Sequence, residues 1–238
     1  MDLENDRMSH PLSIWVPTSA SYRNRENLCR EVWLPEAEAC GLSVTFYDEG
    51  ETFPIYPSAP FRYKERQAIA LGFNLSEKIQ RMFAKALDAG CDYVLRSDTD
   101  TCLWPRRIKE AFEKEWHKHD YVGNCGFPPI SPPFMFNYCS GMAYMLSRRA
   151  MSLVVDAKLF RWEDGDKQID EWAEDRFVGR VMHENGIPFH LDSRIVWNHR
   201  WEENGEVPWL AWHDFGKKIG QLKGCPYLAK GEEDGEIY

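Results

Sequence analysis

The chain lacks an excess of basic residues, an apolar run of membrane-spanning length, a paired-cysteine spacing and any internal repeat. Lys and Arg number 29 against 38 Asp and Glu, a formal net charge of −9 at pH 7. That balance argues against a broad electrostatic footprint for nucleic acid or an acidic membrane, while a local basic groove stays open. The N-terminal Met1-Asp2-Leu3-Glu4-Asn5-Asp6 is acidic and polar, with no signal core, so neither export nor a membrane anchor is expected. Seven cysteines, an odd number, show no CxxC or Cys/His spacing, which argues against a disulfide framework and a zinc knuckle. Reduced thiols in a cytoplasm are the simplest account. With 238 residues and 43% hydrophobic content, the chain suits one α/β domain with a sizeable core, or at most two small ones.

What is present alternates strand-like and helix-like segments. Leu12 to Pro17 reads as a first strand, and Arg23 to Trp33 as an amphipathic helix carrying Leu28 and Val32 on one face. Leu42 to Tyr47 alternates and is rich in β-formers, ending at Asp48. Residues 50–62 hold three prolines and read as an exposed loop. Helices are expected over Arg66–Ala89, Arg106–His117, Arg148–Asp156 (capped by Ser147) and Asp170–Asn185. Strands are expected at Tyr93–Leu95, Tyr121–Gly123, Gly141–Leu146, Ile187–Leu191 and Arg194–Trp197. Residues 1–11 read as a flexible tail, 12–228 as the domain and 229–238 as an acidic flexible tail. The pattern implies a mixed, mostly parallel sheet with helices on both faces. Ligands of such sheets collect beyond the carboxyl ends of strands, where Thr18, Ser19, Asp48 and the Asp98-Thr99-Asp100 run all fall.

That last run follows an apolar strand core, Tyr93-Val94-Leu95. On an extended chain, carboxylates two apart point to one side with Cα atoms about 6–7 Å from one another. Their hard oxygens suit Mg²⁺ or Mn²⁺ better than zinc or copper, with positions left for water and nucleotide phosphates. An ordinary solvated Asp-Thr-Asp turn is the competing account. For Glu174 and Asp175 it is a simple favourable interaction with a helix dipole. Trp197, Trp201, Trp209 and Trp212 suit either a sugar-stacking platform or the core.

Four segments in order resemble the β-1,3-glycosyltransferases of GT-A fold, including the Fringe-like branch. They are Arg25 with Arg30-Glu31-Val32-Trp33, then Asn74-Leu75-Ser76-Glu77-Lys78 followed by Tyr93 to Thr101. Tyr138-Cys139-Ser140-Gly141-Met142-Ala143-Tyr144-Met145-Leu146-Ser147-Arg148 and Glu174-Asp175-Arg176-Phe177-Val178-Gly179 complete the set. Glu26 stands where the family has a second arginine, and Thr99 where it often has a third aspartate. The resemblance implies a metal-dependent, inverting sugar transferase using a nucleotide sugar, a UDP-sugar in the first instance. Asp98 and Asp100 would face the ribose and a Mn²⁺ or Mg²⁺ ion, with His199, or alternatively His213, completing the metal site. Asp175 would be the general base and Glu174 its companion carboxylate. Thr18, Ser19, Arg25, Asp48, Lys78, Asp98, Thr99, Ser140 and Gly141 would bind the donor.

Typical animal members of that family carry a membrane anchor and paired lumenal cysteines, and neither is expected of this chain. The departure implies a bacterial or viral enzyme with a cytoplasmic acceptor, a glycan or small glycoside. Three other readings compete: the same chemistry on a hydroxylated base of phage DNA, a silent carbohydrate- or nucleotide-binding module, and a nucleotidyltransferase. Acidity counts against the first. Joint presence of Asp98, Asp100 and Asp175 counts against the second, and the Tyr138–Arg148 match against the third.

Overall fold

The computed structural model describes residues 12–49, 61–125, 136–159, 174–196 and 211–213. Both expected tails, most of the proline-rich loop and the expected helix start before Glu174 lie outside these residues. Six strands form the main sheet in the order β2-β1-β3-β6-β5-β7. These are β1 (Leu12–Pro17), β2 (Ser43–Tyr47), β3 (Tyr93–Ser97), β5 (Tyr121–Cys125), β6 (Cys139–Ser147) and β7 (His190–Leu191). β1 pairs in parallel with β2 and β3, and β5 with β7, while β6 runs antiparallel to both β3 and β5. Only β6 therefore opposes the common direction, and the sheet is mixed and mostly parallel.

Strands buried on both faces need apolar residues on both, and β1 supplies them. Its Leu12, Ile14 and Val16 enter one core with Cys29 of α1 (Arg23–Val32), Ala37 of α2 (Leu34–Ala39), and Ile108 and Phe112 of α4 (Pro105–Lys114). Trp15 enters the other, with Ile79 and Phe83 of α3 (Phe61–Asp88), Met151 of α5 (Arg148–Asp156) and Phe177 of α6 (Glu174–Glu184). Two apolar layers thus sandwich the sheet. α3 begins before the expected Arg66, and its fourfold spacing of Ile79 and Phe83 reaches the core as read from the sequence. Ser147 Oγ accepts the Ala150 N–H at 3.2 Å, the expected cap of α5. Gly90 and Gly186, with φ of 81° and 66°, stand just past the ends of α3 and α6 in a conformation that other residues adopt at a cost.

A second sheet, β4 (Thr101–Leu103), β9 (Ala211–His213) and β8 (Ile195–Val196), was not expected beyond β8. β9 is antiparallel to β4 and parallel to β8, with Thr101 opposite His213. Short strands paired across such sequence separations leave little local periodicity to read. Cys29, Cys40, Cys91, Cys102 and Cys139 are free thiols. No helix among the described residues is long and apolar enough to cross a membrane.

Candidate active site

β1 and β3 are parallel neighbours, so their carboxyl ends open on one side of the sheet. There Thr18, Arg25, Lys78, Asp98, Thr99 and Asp100 line a cleft of about 190 Å³, with Tyr22 and Leu75 at its wall. Five donor-site candidates and the metal-site candidate Asp100 thus converge from four elements. The Thr18 N–H extends the β1–β2 pairing by donating to the Tyr47 carbonyl at 2.9 Å. Its hydroxyl donates to Glu26 Oε2 at 3.0 Å. Buried Lys78 donates from Nζ to the Thr18 carbonyl, so it braces the cleft floor from α3. Ser19 is buried, and its hydroxyl has no hydrogen-bond partner among the described residues. Asp48 is exposed and pairs with Arg23 at 3.1 Å rather than lining the cleft.

The acidic run is a turn, the competing account of its sequence, and not the extended geometry that its spacing allows. The Thr101 N–H donates to the Asp98 carbonyl at 3.2 Å, closing residues 98–101 before β4 begins. Asp98 still carries on the sheet ladder through its N–H to the Met142 carbonyl at 3.0 Å. Both aspartates line the cleft, brought there by the turn and not by the strand period. Arg25 Nη1 lies 3.1 Å from Asp100 Oδ2 and stacks over Tyr22, 5.2 Å from the ring centre.

Behind the cleft lies a charged cluster centred on Arg96, a residue that the sequence reading missed. Arg96 on β3 is 1% exposed. Its Nη1 is 2.8 Å from Asp98 Oδ1 and its Nη2 is 2.6 Å from Glu174 Oε1. Across the β3–β6 register Arg96 faces Tyr144, and the guanidinium lies 5.6 Å from that ring centre. The Tyr144 hydroxyl donates to Glu174 Oε2 at 2.9 Å. Asp175 is partly buried; its Oδ2 accepts the Gly141 N–H at 3.1 Å and its Oδ1 the Arg176 N–H at 2.8 Å. A Cβ on Gly141 would sit 2.9 Å from Glu174 Oε1, so glycine is what lets β6 close on α6. Ser140 is buried beside it. A readable signal existed: a lone arginine in an otherwise apolar strand, two residues before Asp98, is rarely buried without a partner.

Electrostatics separates the two adjacent acids. Burial pushes the Glu174 carboxyl up to about 8 against the opposing pull of Arg96, with Asp175 and Asp98 adding to the rise. Burial also raises Asp175, opposed by the Gly141 and Arg176 N–H groups. Arg96 stays charged, because Asp98 and Glu174 outweigh its burial. An acid raised in the folded state stabilises the fold fully below its unfolded value of 4.5 and loses that contribution as pH climbs through about 8. Melting temperature should therefore fall from about pH 5 to about pH 8, and Glu174→Gln should flatten that slope. Calorimetry across the range checks it; a parent curve that rises with pH would contradict the assignment.

Asp98 and Asp100 both line the cleft, and carboxylate oxygens are hard donors of the kind that Mn²⁺ or Mg²⁺ takes. A cation arriving at Asp100 meets Arg25 there and must share or displace it. His199 lies outside the described residues. The His213 backbone stands opposite Thr101, the residue after Asp100. Among the described residues, one group of metal-capable side chains has ligand atoms within 4.8 Å of one another: Glu115, His119 and His190. It sits at the other end of the strands, before β5 and at the start of β7. The two imidazoles stack at 3.8 Å with 17° between planes, so their nitrogen lone pairs run along neighbouring planes rather than toward one point.

No family model matches this chain, and no curated protein matches it. Among solved structures it is similar to a glycosyltransferase involved in the glycosylation of the major capsid of PBCV-1. The identity is 15% and the TM-score 0.50, covering 85% of this chain and 92% of that chain. At that identity the likeness is one of fold, a mixed α/β domain flanked by helices.

Proposed function

We propose that the chain is a glycosyltransferase that moves a sugar from a nucleotide sugar, a UDP-sugar in the first instance, to a hydroxyl of a glycan or glycoside. The observation that carries this is the cleft at the ends of β1 and β3. It gathers Arg25, Lys78, Asp98 and Asp100, while Asp175 is joined to the same site through Glu174 and Arg96. The fold shared with the PBCV-1 capsid glycosyltransferase supports the same reading.

In this reading Asp98 and Asp100 would hold a Mn²⁺ or Mg²⁺ ion, and the pairing of His213 opposite Thr101 favours His213 over His199 as third ligand. Such an ion neutralises the diphosphate as it departs. Arg25, released from Asp100, adds a second positive charge facing the phosphates. Asp175 accepts the proton of the acceptor hydroxyl as its oxygen bonds to the anomeric carbon and the bond to the diphosphate oxygen breaks. Attack from the side opposite the leaving group inverts the anomeric centre without a covalent enzyme intermediate. The hydroxyl becomes acidic only as that bond forms, so placement of the base outweighs its resting basicity. The reduced cysteines fit a cytoplasmic site of action.

A panel of UDP-sugars tests the reading by thermal shift and by release of UDP, with Mn²⁺ and with EDTA. We expect at least one donor to stabilise and turn over only with the metal. Equal stabilisation by UDP in EDTA would remove the metal from the mechanism.

A further inference from the structure

We propose that Arg96 is a positioning residue that ties the cation-side carboxylate Asp98 to the acceptor-side pair Glu174 and Asp175, so that neither half of the site is set independently. This rests on the reading above of what the two halves do.

Arg96 does not line the cleft, and at 1% exposure it cannot touch a substrate. It acts through others. One guanidinium nitrogen is 2.8 Å from Asp98 and another is 2.6 Å from Glu174. The fork is held over the Tyr144 ring, whose hydroxyl holds the second oxygen of Glu174. Glu174 opens α6, and the next residue is Asp175, tied to β6 through the Gly141 N–H. The connection therefore runs Asp98, Arg96, Glu174, Asp175, from the end of β3 to the start of α6.

Stability does not explain this arrangement. The Asp98 contact is an ion pair by distance, but Nη1 has no aligned hydrogen bond, and Nε has no partner at all among the described residues. Buried donors left unmade are unfavourable, and replacing a buried ion pair by apolar groups of similar volume is often neutral or stabilising. A planar fork, however, can hold two carboxylates at a set spacing, which a point charge on a flexible stem cannot. The arginine fits a requirement for geometry better than a requirement for fold.

The test titrates MnCl₂ into the full chain in the presence of UDP, for the parent, Arg96→Lys, Arg96→Met, Glu174→Gln and Arg96→Met/Glu174→Gln. The last removes the buried guanidinium and its Glu174 partner together, so neither is left in the interior without the other. Arg96→Lys and Glu174→Gln should each weaken Mn²⁺ uptake about 10-fold, the scale set by loss of a group that orients a metal ligand. Glu174 would do so without lining the cleft. The double variant should be little weaker than either single one, because one connection is broken only once. Parent-like Mn²⁺ affinity in Glu174→Gln, or penalties that multiply in the double variant, would overturn the proposal. If the parent takes up neither Mn²⁺ nor UDP, the functional reading fails instead. Thermal unfolding of Asp98→Asn, Glu174→Gln and their double variant then decides the connection. Non-additive shifts that become additive in an Arg96→Met background support it, and additive shifts in both backgrounds overturn it.

Discussion

Asp175→Asn should lower sugar transfer by about 10²–10⁴-fold, the usual worth of general-base assistance, while leaving Mn²⁺ and UDP affinity near the parent value. Asparagine keeps the shape and a carbonyl oxygen able to accept the Gly141 N–H, now at 3.1 Å, so the start of α6 should hold. What it removes is the basic oxygen. In the proposed reading donor contacts belong to the cleft residues, and Asp175 does not line the cleft. Glu174→Gln should reduce turnover less, since Glu174 is 4% exposed and engaged by Arg96 and Tyr144 rather than by anything entering from solvent. The two quantities must be measured on one preparation. Near-parent transfer by Asp175→Asn would remove it from the chemistry, and loss of donor binding would make it a structural residue.

Asp100→Ala should weaken Mn²⁺ uptake by about 100-fold or more, at least the upper range seen when a group supporting a metal site is lost. The metal-dependent part of UDP binding should vanish with it. Arg25 gives this experiment a second arm. Its guanidinium pairs with Asp100 at 3.1 Å, so Arg25→Ala removes a competitor for that carboxylate and should leave Mn²⁺ alone bound at least as tightly. The histidine is settled alongside. His213→Ala should weaken Mn²⁺ more than His199→Ala, because β9 sets His213 opposite Thr101. The reverse order would return the role to His199. Calorimetry with Mn²⁺, with and without UDP, reads all four variants, and an Asp100→Ala protein that binds Mn²⁺ like the parent would sink the assignment.

Much of the fold was legible because its signals are local. Val94 and Leu95 mark a buried strand, Ile79 and Phe83 repeat at helical spacing, and Ser147 stands where a helix needs a cap. Each of these depends on a few consecutive residues and on backbone chemistry that acts before any distant contact forms. The convergence of Thr18, Asp98 and Asp100 was foreseeable on the same grounds, since parallel strands put their carboxyl ends side by side, although Asp48, expected there too, pairs with Arg23 instead.

Tertiary structure alone decided three things. A turn rather than an extended strand brings Asp98 and Asp100 to the cleft, because the Thr101 N–H finds the Asp98 carbonyl when β4 must pair with β9. Glu174 and Asp175, adjacent and chemically alike, separate into a buried partner of Arg96 and a partly buried acid beside Gly141, as α6 settles against β6. Arg96 acquires its place only when β3, β6 and α6 meet. Sequence position states which charges exist, but their mutual distance depends on which strands neighbour one another. In a buried site that distance, with the loss of solvent, determines what each charge can do.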